Sequence, residues 1–159
     1  MIGVTASISL GELRSIRIFV LGEAERPGSY QVSSLSTITN ALFVSGGIKT
    51  IGSLRNIQLK REGELVSTMD LYDLLLRGDT RGDARLMPGD VIFIPPVGSQ
   101  VGIEGEVLRP AIYELKGERT VGDLVQLGGG LAATAYAQQA QLSRISDMRQ
   151  RIQQDVDLR

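Results

Sequence analysis

The chain has 159 residues, a formal net charge of −1 and 42% hydrophobic residues, which allows one or two small domains with a core and gives no global field to draw nucleic acid or an anionic membrane. It contains no Cys and no His, so disulfides, thiolate or imidazole metal sites and Cys- or His-based nucleophilic chemistry are excluded. No apolar run approaches the ~20 residues of a spanning helix, and the start lacks the charged-then-apolar pattern of a secretory signal.

Residues 1–15 read as an N-terminal strand or tail, with a short alternation over 4–10 broken at Gly11. From Ile16 the pattern sharpens: Ile16, Ile18 and Val20 form one apolar strand face, while Phe19 and Leu21 make the other face partly apolar as well. Pro27-Gly28 is a turn pair, and Tyr30-Gln31-Val32 begins the returning strand of a hairpin. Ile38, Ala41, Leu42 and Ser45 then fall on one face of a short helix started at Ser36-Thr37 and ended at Gly46-Gly47. A second hairpin follows, with strands over 54–60 and 65–69 around Glu62-Gly63-Glu64. Asp70 is placed to cap a helix over 71–77, where Leu71, Leu74 and Leu75 share a face and Gly78 closes the end. After a polar loop, Pro88-Gly89-Asp90 is a turn, and 91–94 is a strand apolar on both faces, as a central strand would be. Pro95-Pro96 ends it.

Shifted by 83 positions, the chain matches itself without a gap: over 22–61, 11 of 40 residues are identical. Gly22-Glu23, Arg26-Pro27, Tyr30, Thr37 and Gly46-Gly47 fall on Gly105-Glu106, Arg109-Pro110, Tyr113, Thr120 and Gly129-Gly130, so the chain is an internal repeat. Thr120 with Asp123 predicts a capped helix start in the second copy. The triple glycine 128–130 follows that helix, whereas phosphates bind at helix N-termini, which favours a C-cap over a phosphate cradle. Over 145–158, Ile145, Met148, Ile152 and Val156 have helical spacing, but the repeat predicts strand, turn, strand, with Val156-Asp157-Leu158 echoing Met69-Asp70-Leu71. The repeat is the stronger signal. No second P-G-D-V-I-F-I-P is found before Arg159, so the second copy is expected to lack its central strand and the chain to be a piece of a longer protein.

Each copy reads as hairpin, helix, hairpin, then helix and strand in the first: an α+β module of β-grasp type, here as tandem modules with the second incomplete. The expected division is 1–15 as tail, 16–97 as first domain and 98–159 as second. The stretches V-L-G-E-A-E-R-P-G-S-Y, A-L-F-V-S-G-G, L-R-N-I-Q-L-K-R and L-M-P-G-D-V-I-F-I-P resemble soluble-ligand-binding β-grasp (SLBB) domains, in particular the tandem copies of bacterial outer-membrane polysaccharide export proteins. The resemblance implies a periplasmic, outer-membrane-associated, non-enzymatic module that binds polysaccharide, other copies of itself or other export-machinery subunits, or else a purely structural oligomerisation scaffold touching no sugar. It implies no cofactor, no metal and no nucleic acid.

Candidate ligand-binding residues are Tyr30 and Tyr113, whose rings suit the C–H face of a sugar, and Arg55, Lys60 and Arg61, with Lys49 nearby, as a basic patch for an acidic polysaccharide. Phe19 and Leu21 are candidate interface residues. Against these stand plain structural roles: tyrosines packed within the module, and a solvated charged hairpin balanced by Glu62 and Glu64. Arg81-Gly82-Asp83 spells an adhesion tripeptide without other support, and Asp79, Asp83 and Asp90 lack the spacing of a calcium loop.

Overall fold

The computed structural model describes residues 14–138, 140–145 and 151–158, so the expected strand or tail over 1–15 lies almost wholly outside the described residues. The chain divides into two compact units, with the change between Val97 and Gly98.

In the first unit, β1 (Ser15–Gly22) and β2 (Gly28–Ser33) form an antiparallel hairpin with Ile18 opposite Tyr30 and Phe19 opposite Ser29. The helix α1 (Ile38–Val44) follows, starting where the Thr37 amide donates to Asn40 Oδ1 at 2.9 Å. Next come β3 (Ile57–Arg61) and β4 (Glu64–Met69), antiparallel with a bulge at Leu59/Lys60, then α2 (Leu71–Arg77) and β5 (Val91–Ile94). The five strands lie in the order β2-β1-β5-β3-β4. The last strand in sequence is thus the middle strand, parallel to β1 and antiparallel to β3. This is the β-grasp arrangement, and the apolar run 91–94 is central because both its edges are paired.

Alternation along the strands separates two faces. Ile16, Ile18, Val20, Ile57, Leu59, Met69, Ile92 and Ile94 face inward and join Ile38, Ala41 and Leu42 of α1 in one core. On α2, Leu71 and Leu74 pack against this core. Leu75 instead lies at the surface, so the sequence-derived helix face is narrower than three leucines. The β1–β5 approach is close enough to require glycine: Gly22 has φ +81°, and a Cβ there would lie 2.1 Å from the Ile94 carbonyl oxygen.

The second unit holds β6 (Gln100–Ile103) paired with β7 (Ala111–Glu114), α3 (Val121–Leu127), and β8 (Ala140–Ile145) paired with β9 (Arg151–Val156). These pairs form two separate two-stranded sheets. At the start of α3, Thr120 Oγ1 accepts from the Asp123 amide at 3.1 Å, and Asp123 Oδ2 accepts from the Arg119 and Thr120 amides at 3.0 Å. Those amide bonds, Arg119's first, hold the Asp123 carboxyl below its ordinary pKa, as the Thr120–Asp123 spacing foretells. Over 145–158 the repeat outranks local periodicity. Ala140 pairs with Val156 as Ile57 pairs with Met69, because the backbone hydrogen bonds of a ladder outweigh helical spacing in a short segment; Met148 lies outside the described residues.

The first unit contains every element of the module, from β1 to β5. A chain ended after Pro96 is therefore expected to keep native-like circular dichroism and one sharp thermal transition. Loss of that transition would place the domain boundary elsewhere.

Candidate functional site

The face of the first unit's sheet turned away from the core carries a band of apolar and aromatic side chains. Parallel pairing sets Phe19 beside Val91 and Leu21 beside Phe93, and antiparallel pairing sets Lys60 beside Val91 and Leu65 beside Lys60. Neighbours across a ladder share a face, so Leu21 and Phe93 lie in one row and Phe19, Val91, Lys60 and Leu65 in the next. Phe19 is 36% exposed, Leu21 40% and Leu65 56%. The Lys60 ammonium sits over the Phe93 ring, 4.9 Å from its centroid, a cation–π contact that leaves charge and apolar surface side by side.

The structure brings Phe19, Leu21 and Lys60 together and turns the other candidates to other work. Arg55 is buried, its Nε 3.1 Å from Asp70 Oδ2 and its guanidinium 4.7 Å above the Tyr72 ring. Arg61 donates from Nε and Nη2 to the two carboxylate oxygens of fully buried Asp90, at 2.8 and 2.9 Å, while Asp90 also accepts from the Met87 amide. The hydrogen bond to Asp90 raises the Arg61 pKa. Lys49 lies 3.6 Å from Glu23. Of these cations, Lys60 is the one placed over the open sheet face.

The tyrosines are structural pins of the repeat. Tyr30 donates its hydroxyl to the Arg26 carbonyl, and Tyr113 donates to the Arg109 carbonyl at 2.7 Å. Tyr113 is buried, whereas a ring that stacks on a sugar offers a face to solvent. The arginines finish the motif: Arg26 and Arg109 lie against Gly46 and Gly129, at φ +88° and +85°, where a Cβ would come within 3.1 and 3.2 Å of the guanidinium. The spacing G-E-x-x-R-P-x-x-Y … G-G is thus the chemistry of one corner, built twice.

The adhesion tripeptide is likewise used internally. Arg81 bonds Asp79, with Nη2 2.6 Å from Oδ2. Asp83 accepts from Thr37 Oγ1 at 2.8 Å, from the Thr39 amide at 2.9 Å and from the Thr39 hydroxyl, tying the loop to the start of α1. Among the described residues, no group of three or more His, Cys, Asp or Glu is placed to hold a metal, and no helix is long and apolar enough to cross a membrane.

Two family models, each described as SLBB domain, match the chain, one over residues 16–94 and the other over 100–153. The chain belongs to the SLBB domain family. It is also similar to the polysialic acid transport protein KpsD of Escherichia coli, 28% identical over 114 residues, which is 71% of this chain and 20% of that protein. The chain therefore spans about a fifth of the length of the curated relatives it matches.

With two SLBB domains in one chain, each is an internal control for the other. Inward positions stay apolar between copies: Ile18, Val20, Ile38 and Leu59 correspond to Val101, Ile103, Val121 and Leu142. Outward positions do not: Phe19, Leu21 and Lys60 correspond to Gly102, Glu104 and Ser143. The SLBB fold needs the inner residues, whereas the apolar outer band belongs to the first copy and is not demanded by the fold. Sequence reasoning missed Phe93, Val91 and Leu65 as members of this surface; the signal for the first two was the strand apolar on both faces.

Two outcomes follow from the paired charges. Asp70 caps α2 by accepting from the Tyr72 amide at 2.9 Å, and it also neutralises buried Arg55. Asp70→Ala is expected to cost about 3 kcal/mol or more in urea unfolding, because it strands a buried cation, rather than the ~1 kcal/mol of a cap alone. Asp79, held down chiefly by its hydrogen bonds with Arg81, has a pKa of about 2. Its folded value lies below the unfolded one, near ~3.9, so its stabilising contribution is complete above that unfolded value and fades as pH falls toward 2. Carboxyl NMR shifts should show this titration, and Arg81→Gln should return it toward the ordinary range.

Proposed function

We propose that this chain is a non-enzymatic binding and assembly module of a polysaccharide export protein, working in the periplasm at the outer membrane. Two SLBB domains in tandem and the similarity to a polysialic acid transport protein support the setting. The observation that carries the role is the outward band of Phe19, Leu21, Phe93 and Lys60; where Phe19, Leu21 and Lys60 stand, the second copy has Gly102, Glu104 and Ser143. An open apolar sheet face rimmed by polar residues is the composition of a contact surface. Its partner in this reading is another copy of the module or another subunit of the export machinery.

A second use of the same face, contact with an acidic polysaccharide, is favoured by Lys60 over Phe93, where an aromatic ring can pack on a sugar and the ammonium can meet a carboxylate. This reading leaves out Arg55 and Arg61, which are bonded to Asp70 and Asp90, and Tyr113, which belongs to the second unit and donates to the Arg109 carbonyl.

Both readings are tested on the parent export protein and on this chain. Phe19→Asp and Leu21→Asp lie on an exposed face and should leave the thermal transition nearly unchanged. Sedimentation of the parent protein should then show weakened assembly. Calorimetry with acidic and neutral polysaccharides separates sugar contact from scaffold: Lys60→Ala should weaken binding of the acidic polymer by about tenfold, the loss of one cation–π and charge contact. Absence of binding to either polymer leaves the scaffold role. Unaltered assembly and unaltered export in the Phe19 and Leu21 variants would remove this face from the function.

A further inference from the structure

The outward faces of the two leading hairpins are built on equivalent pairs and filled in opposite ways. In the first unit Phe19 stands opposite Ser29, and at the same place in the second Gly102 stands opposite Ile112. The large side chain thus lies on β1 in one copy and on β7 in the other, each time beside a small residue. Ile112 is 70% exposed. The charges on these faces also differ in sign. Arg17, two residues before Phe19, shares its face, while Glu104, two residues after Gly102, continues the alternation of β6. Both are exposed, and among the described residues neither forms an ion pair.

Nothing among the described residues requires a glycine at 102. Its φ lies outside the left-handed region, the β6–β7 register is unbroken there, and a Cβ built on it meets no described atom within 4 Å. Glycine inside a strand weakens it; where no bulge or bend calls for one, it marks a close approach by another group.

We propose that the outward face of the β1–β2 hairpin packs on the outward face of the β6–β7 hairpin of a second copy of this chain, an inference that rests on the assembly role proposed for the first of these faces. Sheets pack face to face about 10 Å apart with their strands nearly aligned. Turned so that the partner's β6 runs antiparallel over β1, its β7 lies over β2, and one register satisfies the pairs together. Phe19 enters the space over the partner's Gly102, and the partner's Ile112 enters the space over Ser29. Arg17 then meets the partner's Glu104, and Leu21 falls against the partner's Gln100 at the rim. Like faces do not fit in this way. Two β1–β2 faces in that register would set Phe19 on Phe19 and give Arg17 no acid, and two β6–β7 faces would set Gly102 on Gly102 and leave a void. Size and charge are complementary only between the unlike faces, so the contact is heterologous and each chain carries both halves of it.

Sedimentation equilibrium of the 159-residue chain is expected to show reversible, concentration-dependent association. Arg17→Glu or Glu104→Arg alone should weaken it about three- to tenfold, since each turns an attraction into a repulsion. The double variant, Arg17→Glu with Glu104→Arg, has the net charge of the unchanged chain and should recover most of that loss. Gly102→Val fills the space that Phe19 needs and should weaken association about tenfold or more. Its thermal transition should be kept or raised, because Val suits a strand better than Gly. Monomers at every concentration would overturn the proposal. So would association that ignores both reversals and Gly102→Val, or reversals whose losses add in the double variant. If Phe19→Asp weakens assembly of the parent export protein while the Arg17 and Glu104 reversals leave it unchanged, the assembly role stands and this partner surface falls.

Discussion

The first SLBB domain depends on a single strand arriving last and sitting in the middle. β5 supplies backbone partners to β1 on one side and β3 on the other, and without it the two hairpins have no common sheet. It also buries Ile92 and Ile94 in full. At about 1.5–3 kcal/mol for each large aliphatic side chain removed from water, these two residues contribute about 3–6 kcal/mol, a large part of the net stability of a small domain, about 5–15 kcal/mol. Around that strand the remaining features are adjustments: Gly22 yields space to the Ile94 carbonyl, and buried Asp90 anchors the turn before β5 to Arg61 at the end of β3.

The buried pair Arg55–Asp70 and the half-buried pair Arg61–Asp90, whose carboxylate is fully buried, belong to the same picture. Arg55–Asp70 and Arg61–Asp90 connect the second hairpin to α2 and to the entry of β5. Burying a charge is costly unless it is paired and its remaining donors and acceptors are met, and here each carboxylate also accepts a backbone amide, from Tyr72 and from Met87. Such pairs act as register marks more than as sources of net stability. They also explain why charges that look available in the sequence do not form a surface patch.

The strand alternation separates the residues the core requires from those it leaves free to vary. Residues on the inner face are retained as apolar in both copies, as the core requires, while the outer face of the first sheet alone bears Phe19, Leu21 and Lys60. Exposed aromatic surface on a sheet invites association, and in the proposed assembly role its restriction to the first copy would make the contact specific to that domain. The corner built from Arg26, Tyr30 and Gly46, and again from Arg109, Tyr113 and Gly129, is by contrast common to both units and internal to each.

Much of this was legible in the residues themselves. Hydrophobic alternation, turn dipeptides, the Thr120–Asp123 cap and the gapless repeat determine the elements and their order, because these signals act within a few residues or recur at one offset. The repeat even decided strand over helix for 151–156, where local spacing pointed the other way. Tertiary structure alone decided which neighbour each side chain meets. That Arg55 turns inward to Asp70, that Lys60 lies on Phe93 and that Tyr113 is buried depends on contacts between segments far apart in sequence, which neither period nor composition encodes. The physical reason is the strand order: only when β5 enters between β1 and β3 do Phe19, Leu21, Phe93 and Lys60 become neighbours on one face.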